Sequence, residues 1–111
     1  MSGFFYRLKP SDFRLAEMTG GIENAEIADW PISIETLVPY YDLLEARIGV
    51  SGRAGVNPFE VRDRPFPLPP LRPHPAAALF DKAARSLGYH PYPTPRAIAS
   101  RVFGQRPPCN Y

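Results

Sequence analysis

A single cysteine, Cys109, stands among the 111 residues of this chain, so no disulfide can close within it. No apolar run approaches the ~20 residues needed to span a bilayer. The first residues, MSGFFYRLKPSDF, carry no basic segment followed by a long apolar core, so no secretory signal is read there. Net charge is small, +2, and the 13 basic residues are scattered rather than gathered into a stripe, which argues against a nucleic-acid partner. No GxGxxG or Walker loop is present, so no phosphate cradle is expected. No Ser/His/Asp arrangement has local support. The two histidines, His74 and His90, each precede a proline and read as loop or cap residues rather than metal ligands.

Proline is what the chain has in excess: 15 of 111 residues, against a usual ~5%. Each proline fixes φ and removes a donor, so long helices and central strands should be few. Hydrophobic residues make up 44%, too many for a charge-driven disordered tail.

Periodicity marks two helices. The first lies within 30–49. Ser33 is the expected N-cap, with Glu35 in the first turn, where negative charge is favoured. Leu37, Tyr40, Tyr41, Leu44 and Ile48 fall on one apolar face, and Gly49 ends the run. Pro39 costs least if the helix restarts there. Trp30 and Ile32 are placed to pack on the first turns. The second helix lies within 75–88, with His74 before Pro75 at the first helical position, and Gly88 as its stop. Leu79, Phe80, Ala83 and Leu87 form its apolar face.

Around these helices the chain is extended or turning. Gly3 to Leu8 and Ala97 to Phe103 read as short strands, and Ser11 or Asp12 as the cap of one helical turn. Thr19-Gly20-Gly21 is a break. Residues 50–75 form a glycine-bearing loop and then a proline strap, RPFPLPPLRPHP, near polyproline II. Phe66, Leu68 and Leu71 suggest that the strap lies on its own protein. The alternative is a PxxP ligand for an SH3-like partner, which requires Phe66 and Leu68 to be exposed. The fold class expected is therefore α+β: two amphipathic helices, short strands and extended proline-rich segments. Two helices with one short strand each leave apolar faces without partners, so the chain reads as part of something larger.

Three stretches taken in order are more specific: DWPISIETLVPYYDLLEARIGVSG, NPFEVRDRPFPLPPLRPHPAAALFDKAARSLGYHPYPTPRAIASR and GQRPPCNY. Together they resemble the glucose-methanol-choline (GMC) flavoprotein oxidoreductases, in the branch of the gluconate- and fructose-dehydrogenase-like large subunits. There a DWP(I/L)xYxxLxPYYxxxExxxGVSG segment precedes a PYPLPPLP strap, a helix and GLHPYPxPxAINSxPYxGRPxC.

The resemblance implies an internal fragment of a larger FAD-binding plus substrate-domain architecture. Residues 1–15 would follow the flavin loop, and 89–111 would begin the substrate-domain sheet. It implies FAD in the parent protein, a sugar, sugar acid or other alcohol as hydride donor, and a haem subunit or quinone as acceptor in the membrane-associated branch. Oxygen is the acceptor the resemblance implies for oxidases; in the membrane-associated branch the parent would be periplasmic or membrane-associated, and the residues of this chain do not choose between them. The dinucleotide loop and the catalytic histidine would both lie outside this chain, which alone would be weakly folded and bind no FAD. An accessory piece of a split flavoenzyme is a further alternative. Gly3 and Phe4 would border the flavin ring, with Ser2 beside them. Ala99 stands where the family pattern has asparagine. Cys109 matches the first cysteine of a cysteine-rich segment, and one cysteine cannot hold an iron–sulfur cluster.

Overall fold

Prolines and glycines set the boundaries of the helices in the computed structural model, which describes residues 3–110. A 3₁₀ turn spans Pro10–Phe13, and helix α1 follows at Leu15–Thr19. Lys9, rather than Ser11 or Asp12, is the N-cap of the turn: its backbone N–H donates to the Asp12 carboxylate at 2.8 Å. Proline at the first position leaves no N–H to satisfy there. Gly20, at φ 67°, closes α1 in the left-handed conformation that suits glycine.

Helix α2 spans Ile34–Ile48 between Ser33 and Gly49, the two ends expected from the sequence. The Ser33 hydroxyl makes no cap to the helix backbone. It bonds instead to the Glu35 carboxylate, which this contact and then Glu35's own backbone hold below the usual range. The helix does not restart at Pro39 but runs through it. The buried face also differs from the expected one. Ile34, Val38 and Glu45 are buried, while Tyr40 and Leu44 lie in solvent. Hydrophobicity alone places Tyr40 and Leu44 inward; the stripe is rotated because Glu45 is satisfied by arginines from two other segments. Phe13, Ile34 and Val38 form the main apolar cluster, with Leu8, Ile32, Leu37, Tyr41 and Val61 packed around it. Trp30 meets the edge of Phe13 at 5.7 Å, and Ile32 packs against the cluster that holds Ile34 and Val38 of the first turns, as expected.

Helix α3 spans Pro75–Ser86, and Gly88 turns the chain away at φ 81°. None of its residues is buried, and Leu79, Phe80 and Leu87 are all about 70% exposed. The expected apolar face exists and no described residue covers it.

No multi-residue strand forms among the described residues. Four extended segments instead lie side by side, each paired through one residue, in the spatial order Phe4, Arg96, Ser51, Leu68. Ser51 and Arg96 exchange both backbone hydrogen bonds, at 2.8 and 2.9 Å. Leu68 donates to the Val50 carbonyl at 3.2 Å, and Gly52 donates to the Leu68 carbonyl at 3.0 Å, a parallel register. The prolines around Leu68 and the left-handed Gly3 stop these pairings from lengthening. The stretch 97–103 makes no strand, and Phe103 pairs only with Arg106 across a turn.

The radius of gyration, 16.9 Å, exceeds the roughly 13 Å expected of a compact domain of this length. Many large aromatic and aliphatic side chains stay exposed, among them Phe4, Tyr6, Tyr40, Leu79 and Phe80.

Candidate functional site

Gly3 and Phe4 sit at the outer end of the four-segment array. Gly3 has φ 61°, and a Cβ there would lie 3.1 Å from the Ile98 side chain, so the glycine lets this segment close on residues 97–98. The Gly3 carbonyl accepts from Ala97 N–H at 2.7 Å, and Phe5 N–H donates to the Pro95 carbonyl at 3.1 Å. Phe4 is half exposed. Its ring stacks on Tyr6 with centroids 6.0 Å apart, and the Arg96 guanidinium stands 4.8 Å from its centre. The result is an exposed aromatic platform with one cation beside it. Ser2 lies outside the described residues.

A buried charge cluster holds this platform in place. Arg7, three residues beyond Phe4, donates from Nε and Nη2 to the two carboxylate oxygens of Glu45, each at 2.9 Å. Asp42 takes a further bond from Nη2. Arg62 reaches Glu45 from the other side at 2.9 and 2.8 Å, and pairs with Glu60 at 3.1 Å. Its guanidinium lies flat on Phe66 at 3.5 Å. Burial pushes the Glu45 carboxyl up, but the hydrogen bonds from Arg7 and Arg62 outweigh it and hold it below the ordinary value. Burial likewise opposes charge on both arginines, and their carboxylate partners reverse it, so both are raised. A carboxylate with four guanidinium bonds and a depressed pKa is a poor proton acceptor near neutrality. The cluster is structural: it ties the first residues and the strap to α2.

The strap is pinned as well. Phe66 and Leu68 are buried, and Ser100 Oγ donates to the Pro69 carbonyl at 2.6 Å. An SH3-like partner needs those two side chains in solvent, so the structure does not support that reading.

An open cleft of about 590 Å³ lies between the N-terminus of α3 and the tail, lined in part by Arg72, His74, Ser100 and Cys109. His74 acts as a cap, its Nδ1 accepting from Ala76 N–H at 3.2 Å. Cys109 is exposed, and its backbone N–H donates to the Ala99 carbonyl at 2.9 Å. Among the described residues no group of His, Cys, Asp and Glu could hold a metal ion, and no helix is long and apolar enough to cross a membrane.

The family resemblance singled out Gly3 and Phe4 but not Arg7, Glu45, Arg62 or Arg96. No local signal marked the cluster, because Glu45 lies off the apolar face read from the sequence and its burial depends on arginines from distant segments.

No family model matches the chain. Curated relatives do. The chain is 38% identical over 111 residues to a 6'''-hydroxyparomomycin C oxidase of Streptomyces lividus, covering 96% of this chain and 19% of that protein. It is 38% identical over 100 residues to a 2-methyl-1,2-propanediol dehydrogenase of Mycolicibacterium austroafricanum, covering 90% of this chain and 18% of that protein. To a gluconate 2-dehydrogenase flavoprotein of Pantoea cypripedii it is 36% identical over 108 residues, covering 80% of this chain and 17% of that protein. The chain thus spans less than a fifth of the length of the relatives it matches.

Proposed function

We propose that the chain is a segment of a larger, GMC-type FAD-dependent enzyme that oxidises the CH–OH group of a sugar, sugar acid or other alcohol. One observation carries this reading: relatives aligned over most of the chain are, by name, oxidases and dehydrogenases. Gluconate and fructose are among the substrates in those names, which supports a polyhydroxylated donor and a multi-subunit setting.

The residues present fit part of the cofactor. No glycine-rich turn is available for a pyrophosphate, so this chain does not hold the dinucleotide half. The half-exposed Phe4, with Tyr6 behind it and Arg96 beside it, fits the border of a planar ring. When bound, FAD would supply the acceptor for the two electrons of the alcohol. The chain's own contribution is to place Gly3 and Phe4: Arg7 anchors their segment to α2, and residues 95–97 hold it from the other side. The residue that takes the hydroxyl proton belongs elsewhere in the enzyme.

The test is to produce the longer polypeptide that encloses this sequence, and the 111-residue chain beside it. The longer protein should carry FAD and reduce a dye acceptor when given aldonates, aldoses or small diols. The short chain should do neither. A longer protein free of flavin, or a flavoprotein inert to every alcohol offered, would sink the reading.

A further inference from the structure

The four-segment array can grow in only one direction. At its Leu68 end both backbone groups of Leu68 point inward to Val50 and Gly52. The residues facing outward there are Pro67 and Pro69, which have no N–H to offer. The Pro69 carbonyl is also already taken by Ser100. That edge is closed to a further strand.

The Phe4 end is open. Phe5 N–H and the Gly3 carbonyl bond to residues 95 and 97, so the N–H and carbonyl of Phe4 between them face away from Arg96. No described residue pairs with either group. Phe4 and Tyr6, both about half exposed, flank this edge with stacked rings. An array held by one paired residue per segment is too small to be stable alone.

We propose that the Phe4 edge receives a further β-strand, supplied by the remaining length of the same polypeptide. This inference rests on the reading of the chain as a segment of a larger enzyme. The occupant follows from size: more than four-fifths of each matched relative lies outside the aligned stretch. The strand adds through main-chain hydrogen bonds to the outward N–H and carbonyl of Phe4, leaving the ring faces free.

Amide hydrogen exchange tests this without reference to flavin or turnover. In the enclosing polypeptide the Phe4 amide should exchange at least about tenfold more slowly than in the 111-residue chain. Exchange at Phe4 equally fast in both proteins overturns the proposal, even if the enzyme oxidises alcohols. Protection that instead rises with the concentration of the short chain also overturns it, by naming a second copy as the occupant. A pair of substitutions supplies the second reading. Phe4→Pro removes the outward N–H, whereas Phe4→Ala removes the ring and keeps it. The proline variant of the enclosing protein should have the lower urea midpoint; equal midpoints for the two variants count against the added strand.

Discussion

Arg7 and Glu45 meet through two parallel hydrogen bonds of 2.9 Å across 38 positions of sequence, with both side chains removed from solvent. This fork-to-fork pair fixes the first residues of the chain on α2. Arg62 uses the same carboxylate from the strap side, so Glu45 joins three segments at one point.

Glu45→Gln should therefore be among the most damaging single changes. It leaves two buried guanidiniums facing a neutral amide with one acceptor oxygen. Breaking a buried pair from one side costs about 3–5 kcal/mol. The expected result is a large fall in the urea midpoint; a shift no larger than that of a surface substitution would show that the cluster is not holding the segments together.

Acid should weaken the same joint. Glu45 sits below its ordinary pKa in the folded protein because the two arginines outweigh burial. Its contribution is then complete above about pH 4.3, the unfolded value, and is lost as pH falls through the lower folded value. Urea midpoints taken from pH 6 downward should drop across that window in the native protein. Glu45→Gln should lack this part of the drop.

Arg62→Lys keeps the charge and loses the geometry. A lysine cannot bridge Glu45 with two parallel bonds, nor lie flat on Phe66 as the guanidinium does at 3.5 Å. Destabilisation of about 1–3 kcal/mol is expected from the lost charged hydrogen bonds, measured by chemical unfolding.

Gly52→Ala should destabilise through crowding. A Cβ at Gly52 would lie 2.6 Å from the buried Phe66 ring, which is itself sandwiched against Arg62. Overpacking of this kind costs about 1–3 kcal/mol. If Gly52→Ala matches the parent in thermal unfolding, the ring has room that the packing denies.

Phe80→Ser on α3 should behave differently in two settings. In the 111-residue chain Phe80 is exposed, so stability should change by less than about 0.5 kcal/mol and solubility should rise. In the enclosing polypeptide the same change should lower the melting temperature, because the face is then covered. A neutral effect in both would leave α3 a solvent helix.

Several local features were legible from residue types alone. Ser33 and Gly49 mark the ends of α2, and Pro75 and Gly88 those of α3, because the steric limits of proline and glycine act within a residue or two. The burial of Phe66 and Leu68 in the strap was also legible, since aromatic and aliphatic residues among prolines have no reason to stay in water. The face that α2 buries was not. Tyr40 and Leu44 look inward by hydrophobicity, yet Glu45 takes the inward place. A carboxylate is buried only if cations 38 positions before it and 17 after it reach the same point, and no local pattern encodes that.

The sequence by itself determined where helices start and stop, where the chain must stay extended, and which family the ordered motifs resemble, since each depends on neighbours along the chain. Only the tertiary structure decided that Arg7, Glu45 and Arg62 form one cluster, that the expected strands at Gly3–Leu8 and Ala97–Phe103 shrink to single-residue pairings, and that the array stays open at Phe4 while prolines close it at Leu68. Those outcomes depend on hydrogen bonds and charges meeting across distant segments, where geometry in space, rather than order along the chain, selects the partner.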